Sequence, residues 1–163
     1  MELLKHLFCS PPSGFLQGEA SLSGSCYKLI TKPETWSNAD AKCISLGAQL
    51  VKIESAFEND FLTQAFFKGT SGTYWIGLSD QVHEGKWIWT DGSSLGADDY
   101  SPWGKNNPNN LGGHQNCGQI VKGDFKLGSL LFRGFKDGEW NDFRCDFLLG
   151  YICEKKIYSG ENE

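Results

Sequence analysis

Trp103-Gly-Lys-Asn-Asn-Pro-Asn-Asn-Leu-Gly-Gly-His-Gln-Asn-Cys117 is the stretch on which the reading of this chain turns. It holds six side-chain amides, at Asn106, Asn107, Asn109, Asn110, Gln115 and Asn116. Pro108 and the pair Gly112-Gly113 interrupt any regular backbone, so the segment is a loop and not a helix or strand. A loop this rich in amides is either solvated filler or a set of oxygens aimed at a ligand. Amide carbonyls are hard ligands suited to calcium, and amides also donate to and accept from hydroxyl groups.

Working outward, the 163 residues suit one domain with a real core. The net charge of −5 is spread along the chain, and no basic patch with interleaved aromatics points to nucleic acid. No apolar run reaches the roughly 20 residues of a membrane span. Leu3, Leu4, Leu7 and Phe8 give the start an apolar flavour, but over too few residues for a signal segment. The six cysteines, at 9, 26, 43, 117, 145 and 153, form no Cys-x-x-Cys pair, which disfavours zinc. Three disulfides in an oxidising, extracellular compartment is the economical reading. Spacing alone leaves all fifteen pairings open.

Ser10 to Gly24 reads as an irregular arm and Ser25 to Thr31 as a first strand. Thr35 is placed to cap a helix carrying Trp36, Ala39, Cys43 and Leu46 at helical spacing, with Gly47 as its stop. Ser55 and Glu58 form a capping box for a second helix, whose apolar face is read as Phe57, Phe61, Leu62, Ala65 and Phe66. Beyond Tyr74 the pattern changes to short strands. These are expected at 74–78, 86–89, 117–121, 130–132, 136–140 and 150–154, separated by long loops. Two early helices followed by short strands and heavy loops describe an α+β domain, and loops of that length carry function.

The chain closely resembles the C-type lectin-like domain family. The resemblance rests on Gly24-Ser-Cys-Tyr27, the two helices, Trp75-Ile-Gly-Leu78, Asn107-Pro-Asn109, Cys117, Trp140-Asn-Asp142, Cys145 and Cys153-Glu154, in the family's order. It implies a domain over residues 9–156, with an extension at 1–8 and a tail at 157–163. The implied fold has two helices, small antiparallel sheets and long ligand-binding loops. The implied disulfides are Cys43 to Cys153, Cys117 to Cys145 and, for the long form, Cys9 to Cys26. Trp75, Ile76, Leu78, Trp87, Trp89 and Trp140 are expected to pack and not to bind.

For sugar-binding members the resemblance implies one calcium held by Asn107, Asn109, Gln115, Asn141 and Asp142, with the same side chains touching the sugar. It implies a cis Pro108. An auxiliary calcium would use Asp80, Glu84, Asn110 and Asn116, together with Gln115. Asn107 and Gln115 stand where the family has longer or acidic side chains, which leaves Asp142 as the one carboxylate of the primary set. Ligand charge tunes calcium affinity, so that site is expected to be weak. Asn109 tilts the expected sugar toward mannose or N-acetylglucosamine over galactose.

The expected function is a secreted lectin recognising glycans on microbes or cells. The alternative is a calcium-independent domain that takes a protein or mineral surface. The segment 122–134 is longer than in compact members and reads as extra strand, or as a contact surface in a homo-oligomer. His6, His83 and His114 offer no nucleophile and base pairing, so an enzyme is not expected.

Overall fold

The computed structural model describes residues 19–68, 72–127 and 129–157. Strands β1 (Glu19–Leu22) and β2 (Ser25–Glu34) form a hairpin, followed by α1 (Trp36–Ser45), β3 (Gln49–Leu50) and α2 (Ala56–Phe66). Then come β4 (Thr73–Ser79), β5 (Ile88–Trp89), a turn of 3-10 helix at Leu111–Gly113, and β6 (Cys117–Val121). A separate hairpin of β7 (Phe125–Leu127) and β8 (Leu130–Phe132) precedes β9 (Trp140–Phe143) and β10 (Leu149–Lys156). The main sheet runs β1-β2-β10-β4-β6-β9, with β3 on β10 and β5 on β4. The sheet is antiparallel except where β10 meets β4 in parallel, at Gly150–Tyr74 and Tyr151–Trp75.

Both helix starts follow from their caps. The Thr35 hydroxyl accepts from the Asn38 N–H at 3.3 Å, and the Ser55 hydroxyl accepts from the Glu58 N–H at 3.1 Å. Glu58 reaches back to the N–H of Glu54, one residue before the cap, at 2.8 Å. Its other oxygen accepts from the Tyr27 hydroxyl at 2.7 Å, which fastens α2 to β2. Trp36 donates to the Ile76 carbonyl at 2.9 Å and Trp75 to the Glu34 carbonyl at 3.0 Å, so the indoles stitch β4 to α1 and to the end of β2.

Gly77 explains the Trp-Ile-Gly-Leu strand. A Cβ there would lie 2.6 Å from the Leu50 carbonyl oxygen, because the chain at Leu50–Val51 crosses directly over it. The Gly77 N–H donates to the Val51 carbonyl at 2.9 Å across that contact. Trp140 is fully buried and meets Trp89, Tyr100 and Trp103 edge-on at 5.6, 5.9 and 5.8 Å. Its indole donates to Asn59 Oδ1 at 3.0 Å. The expected core tryptophans are therefore core. Trp103 and Tyr100 pack with them as well.

Cys43 is bonded to Cys153 and Cys117 to Cys145. The first ties α1 to the last strand, and the second clips the start of β6 to the turn after β9. Cys9 lies outside the described residues, as do residues 1–18 and 158–163 in full, so the expected Cys9–Cys26 pair is not described.

Several expected boundaries are corrected. The arm read as irregular contains β1, because Glu19–Leu22 pairs in register with Ser25–Lys28 of β2. Phe57 is 70% exposed and Ala65 is exposed, while Asn59 turns inward to serve Trp140. The strand placed at 136–140 begins only at Trp140. Residues 136–139 form a turn, with the Glu139 N–H on the Lys136 carbonyl and the Lys136 N–H on the Glu139 carboxylate. The strand expected from Lys86 shortens to Ile88–Trp89, since Lys86 closes a turn on the His83 carbonyl.

Two stability results follow. Replacing Cys43 and Cys153 by Ala opens a loop spanning 110 residues and costs about 5 kcal/mol in the chain-entropy picture, against about 3.5 kcal/mol for the 28-residue Cys117–Cys145 loop. Denaturant unfolding of the two double variants checks the order. Gly77→Ala drives a methyl into the Leu50 carbonyl and lowers stability by about 2 kcal/mol or more, read as a fall in Tm.

Candidate functional site

The amide-rich loop folds back onto β9: its start is bonded to the Trp140 backbone, and its turn at Asn109–Asn110 is held by one side chain. Asp142, fully buried, accepts from the Asn109 N–H at 3.1 Å and the Asn110 N–H at 2.6 Å. The loop braces itself further. The Asn110 side-chain oxygen accepts from the Gln115 N–H at 2.9 Å, and the Leu111 N–H is shared by Gln115 Oε1 at 3.1 Å and Asn109 Oδ1 at 3.2 Å. Asn106 and Asn110 adopt left-handed backbone, which Asn tolerates better than most residues, and the Asn107–Pro108 peptide is cis as expected.

A cleft of about 340 Å³ opens beside this loop. Asn107, Asn109, Gln115 and Asn141 all line it, so four of the five residues expected to act together are brought together. The fifth, Asp142, lies behind them with both oxygens engaged by the loop backbone. Asn107 is notable. Its nitrogen donates to the Lys105 carbonyl at 3.2 Å, while its oxygen is buried and has no partner among the described residues. A buried carbonyl left without a donor costs about 1–3 kcal/mol, so this oxygen is set for a hydroxyl or a cation.

Asn141 is oriented by a residue that the sequence reading missed. Its nitrogen donates at 3.0 Å to Oε1 of Gln119, the residue directly opposite on β6. Gln119 is itself completely buried. Its position, two residues after Cys117 in an apolar strand, was the available signal. Also missed were Lys105, Arg133 and Phe135, which line the cleft from the loop and from the segment after β8. His114 is exposed and is not among the lining residues.

The acids of the expected auxiliary site also converge. Asp80, only 3% exposed, accepts from the Gly85 N–H at 2.8 Å. With its amide nitrogen facing the acids, Asn116 donates at 3.1 Å to both Asp80 Oδ1 and Glu84 Oε2. The Asn110 side chain faces Glu84 and favours its charged form, offsetting part of an upward shift in its pKa. Burial pushes the Asp80 carboxyl above its ordinary range, with the Asp142 charge adding to the effect. Glu84 is pushed up by desolvation at the loop surface and by the neighbouring Asp80 and Asp142 charges. Crowded oxygens of this kind suit a hard cation, which would relieve the repulsion. Among the described residues, no three of the His, Cys, Asp and Glu side chains are grouped to hold a metal by themselves. Any ion here would depend on amide oxygens as well, and Asn116 would turn its oxygen toward the acids to take part.

A second cleft, of about 330 Å³, lies between Lys52, Glu54, Trp89 and Tyr100 and contains none of the expected site residues. No helix among the described residues is long and apolar enough to cross a membrane.

The lectin C-type domain model matches residues 32–155. CD209 antigen-like protein D of Mus musculus is 37% identical over 133 residues, covering 82% of this chain and 48% of that protein. The chain thus spans about half the length of that relative. Among solved structures, the cow carbohydrate-recognition domain of CD23, determined in the presence of a GlcNAc2Man3 oligosaccharide, gives a TM-score of 0.69 at 32% identity, covering 89% of this chain and 98% of that one. A calcium-independent type II antifreeze protein gives 0.68 at 26% identity, covering 88% and 95%. The chain belongs to the C-type lectin domain family and is a binding domain, not an enzyme.

Proposed function

We propose that this domain, residues 9–156, is a lectin that binds glycans of cell or microbial surfaces in the cleft beside Asn107. The observation that carries the reading is the unpartnered, buried Asn107 oxygen in a cleft that also presents Asn109, Gln115 and Asn141. Sugar hydroxyls are both donors and acceptors, and side-chain amides match them in both roles. Asn109 retains the residue type of the mannose and N-acetylglucosamine class, which is the sugar class we assign ahead of galactose. The two disulfides support an oxidising compartment, and we assign the domain as a secreted or otherwise extracellular module.

Calcium fits the two oxygen sets unequally. Asp80, Glu84, Asn110 and Asn116 combine two crowded carboxylates with two amides and would hold the ion beside the loop. Asn107, Asn109, Gln115, Asn141 and Asp142 would hold a second ion at the cleft with one carboxylate, and therefore weakly. When bound there, calcium supplies a cation that takes up hydroxyl oxygens directly. The amides orient the ligand, and Asp142 keeps the loop closed whether or not an ion is present.

One observation favours a second, calcium-independent reading, in which the same surface takes a protein or a mineral. The only carboxylate of the cleft set is fully buried behind it, with both oxygens on backbone N–H groups.

A glycan array run with calcium and again with chelator tests both readings. The lectin reading predicts mannose- or N-acetylglucosamine-terminated ligands, with at least about tenfold weaker binding for Asn107→Ala, the loss expected for one good hydrogen bond. Asp142→Ala abolishes binding and destabilises the fold by about 2–4 kcal/mol, since two loop N–H groups lose their acceptor. Binding that weakens in chelator supports the calcium-assisted form. Binding that persists supports a metal-free sugar site, and no binding in either buffer sinks the lectin reading. Separately, millimolar calcium raises the Tm of the wild type more than that of Asp80→Asn, because an ion bound only to the native state stabilises it.

A further inference from the structure

The charge of the cleft runs opposite to that of the chain. The protein carries a net charge of −5, yet no carboxylate lines the cleft among the described residues. Among the described residues, its formally charged lining residues are Lys105 and Arg133. Neither takes part in an ion pair among the described residues, whereas Lys52, Arg144 and Lys156 each hold an acid within 3.2 Å. Two unneutralised cations at the rim of one cleft attract an anion more strongly than either would alone.

Their placement is built into the fold. Arg133 follows β8, the second strand of the hairpin formed by the long segment 122–134. The Gly134 N–H donates to Asp124 Oδ1 at 2.7 Å, which closes the hairpin at its base. Phe135 then lies against Gly104, where any side chain would overlap the ring. Gly104 is in turn pinned by its N–H on the Trp140 carbonyl at 2.8 Å, and its own carbonyl accepts from the Asn107 N–H at 2.9 Å. The glycine thus lets the hairpin dock on the loop that carries Lys105 and Asn107. This docking makes Arg133 part of the cleft, although 26 positions separate it from Asn107.

We infer that the cleft selects anionic saccharides, with the Arg133 guanidinium and the Lys105 ammonium receiving a carboxylate or sulfate on a sugar whose hydroxyls meet Asn107, Asn109 and Asn141. The inference rests on the lectin reading and adds the charge class of the ligand. A guanidinium offers paired N–H donors that match the oxygens of either anion, and an ammonium offers a compact point charge. Both side chains are exposed, so the attraction is screened by salt.

The test is binding of the wild-type protein to three immobilised probes on one scaffold: a neutral mannose- and N-acetylglucosamine-terminated oligosaccharide, its sulfated form, and a form capped with an acidic sugar. The expected result is a preference of about tenfold or more for one or both anionic probes, the value of one charge-assisted hydrogen bond. That preference shrinks as sodium chloride is raised, a readout that needs no variant. In Arg133→Glu and Lys105→Glu the ratio of anionic to neutral binding falls below that of the wild type, with circular dichroism showing the fold retained. The two anionic arms tell a sulfate from a carboxylate. Equal binding of all three probes, or a ratio indifferent to salt and to both variants, overturns the inference and leaves the lectin reading standing. Failure to bind any probe overturns both.

Discussion

A single buried carboxylate holds the ligand face of this domain together. Asp142 sits on β9, inside the sheet, and accepts hydrogen bonds from two consecutive backbone N–H groups of a loop more than thirty positions earlier in the chain. A charged group this far from water persists only when its oxygens are satisfied, and here the loop itself satisfies them. The dependence is mutual. Without the carboxylate, the turn at Asn109–Asn110 has lost its anchor. Without the turn, the carboxylate is an unpaired charge in the interior. The orientation of Asn109 and the approach of Asn110 to Glu84 follow from this junction, while the opposite side of the cleft comes from the hairpin docked on Gly104.

Around it the structure divides two tasks. Among the described residues, the cleft is lined by neutral amides and a few apolar side chains, and its formal charge is the two cations at its rim. The acidic oxygens are gathered on the other side of the loop, at Asp80 and Glu84, with Asn110 and Asn116 between them. An ion on that side would stiffen the loop, and the amides of the cleft would remain free for hydroxyls. Gln119 adds a third element. Its buried amide fixes which end of Asn141 faces its neighbour on β6, and so which end is left for the cleft.

Much of this was readable from local chemistry. Thr35 and Ser55 announced their helices because a cap is a contact within one turn. The Trp-Ile-Gly-Leu strand, the cis Pro108 and the two described disulfides were readable because the motifs that carry them are short and occur in a known order. What escaped depends on distant partners. Asn59 was invisible as a core residue because its role is to serve Trp140, 81 positions away, and Phe57 was taken for core on helical spacing alone although its side of the helix faces solvent. Residues 136–139 are read as strand although Asp137-Gly138 is a turn signal, and a turn closes there so that Trp140 can enter β9 in register with Ile120. Arg133 and Phe135 carried no recognisable motif. They reach the cleft only because Gly104 leaves room for the docking of the hairpin.

The most direct measurement is a titration of isotope-labelled protein with a mannose-terminated oligosaccharide, following the side-chain amide signals by NMR. The account predicts that the amide signals of Asn107, Asn109 and Asn141 move first and furthest, in saturable fashion, while those of Asn38 and Gln64 on the two helices stay still. Shifts confined to the second cleft near Lys52 and Trp89, or no shifts at saturating sugar, would contradict it.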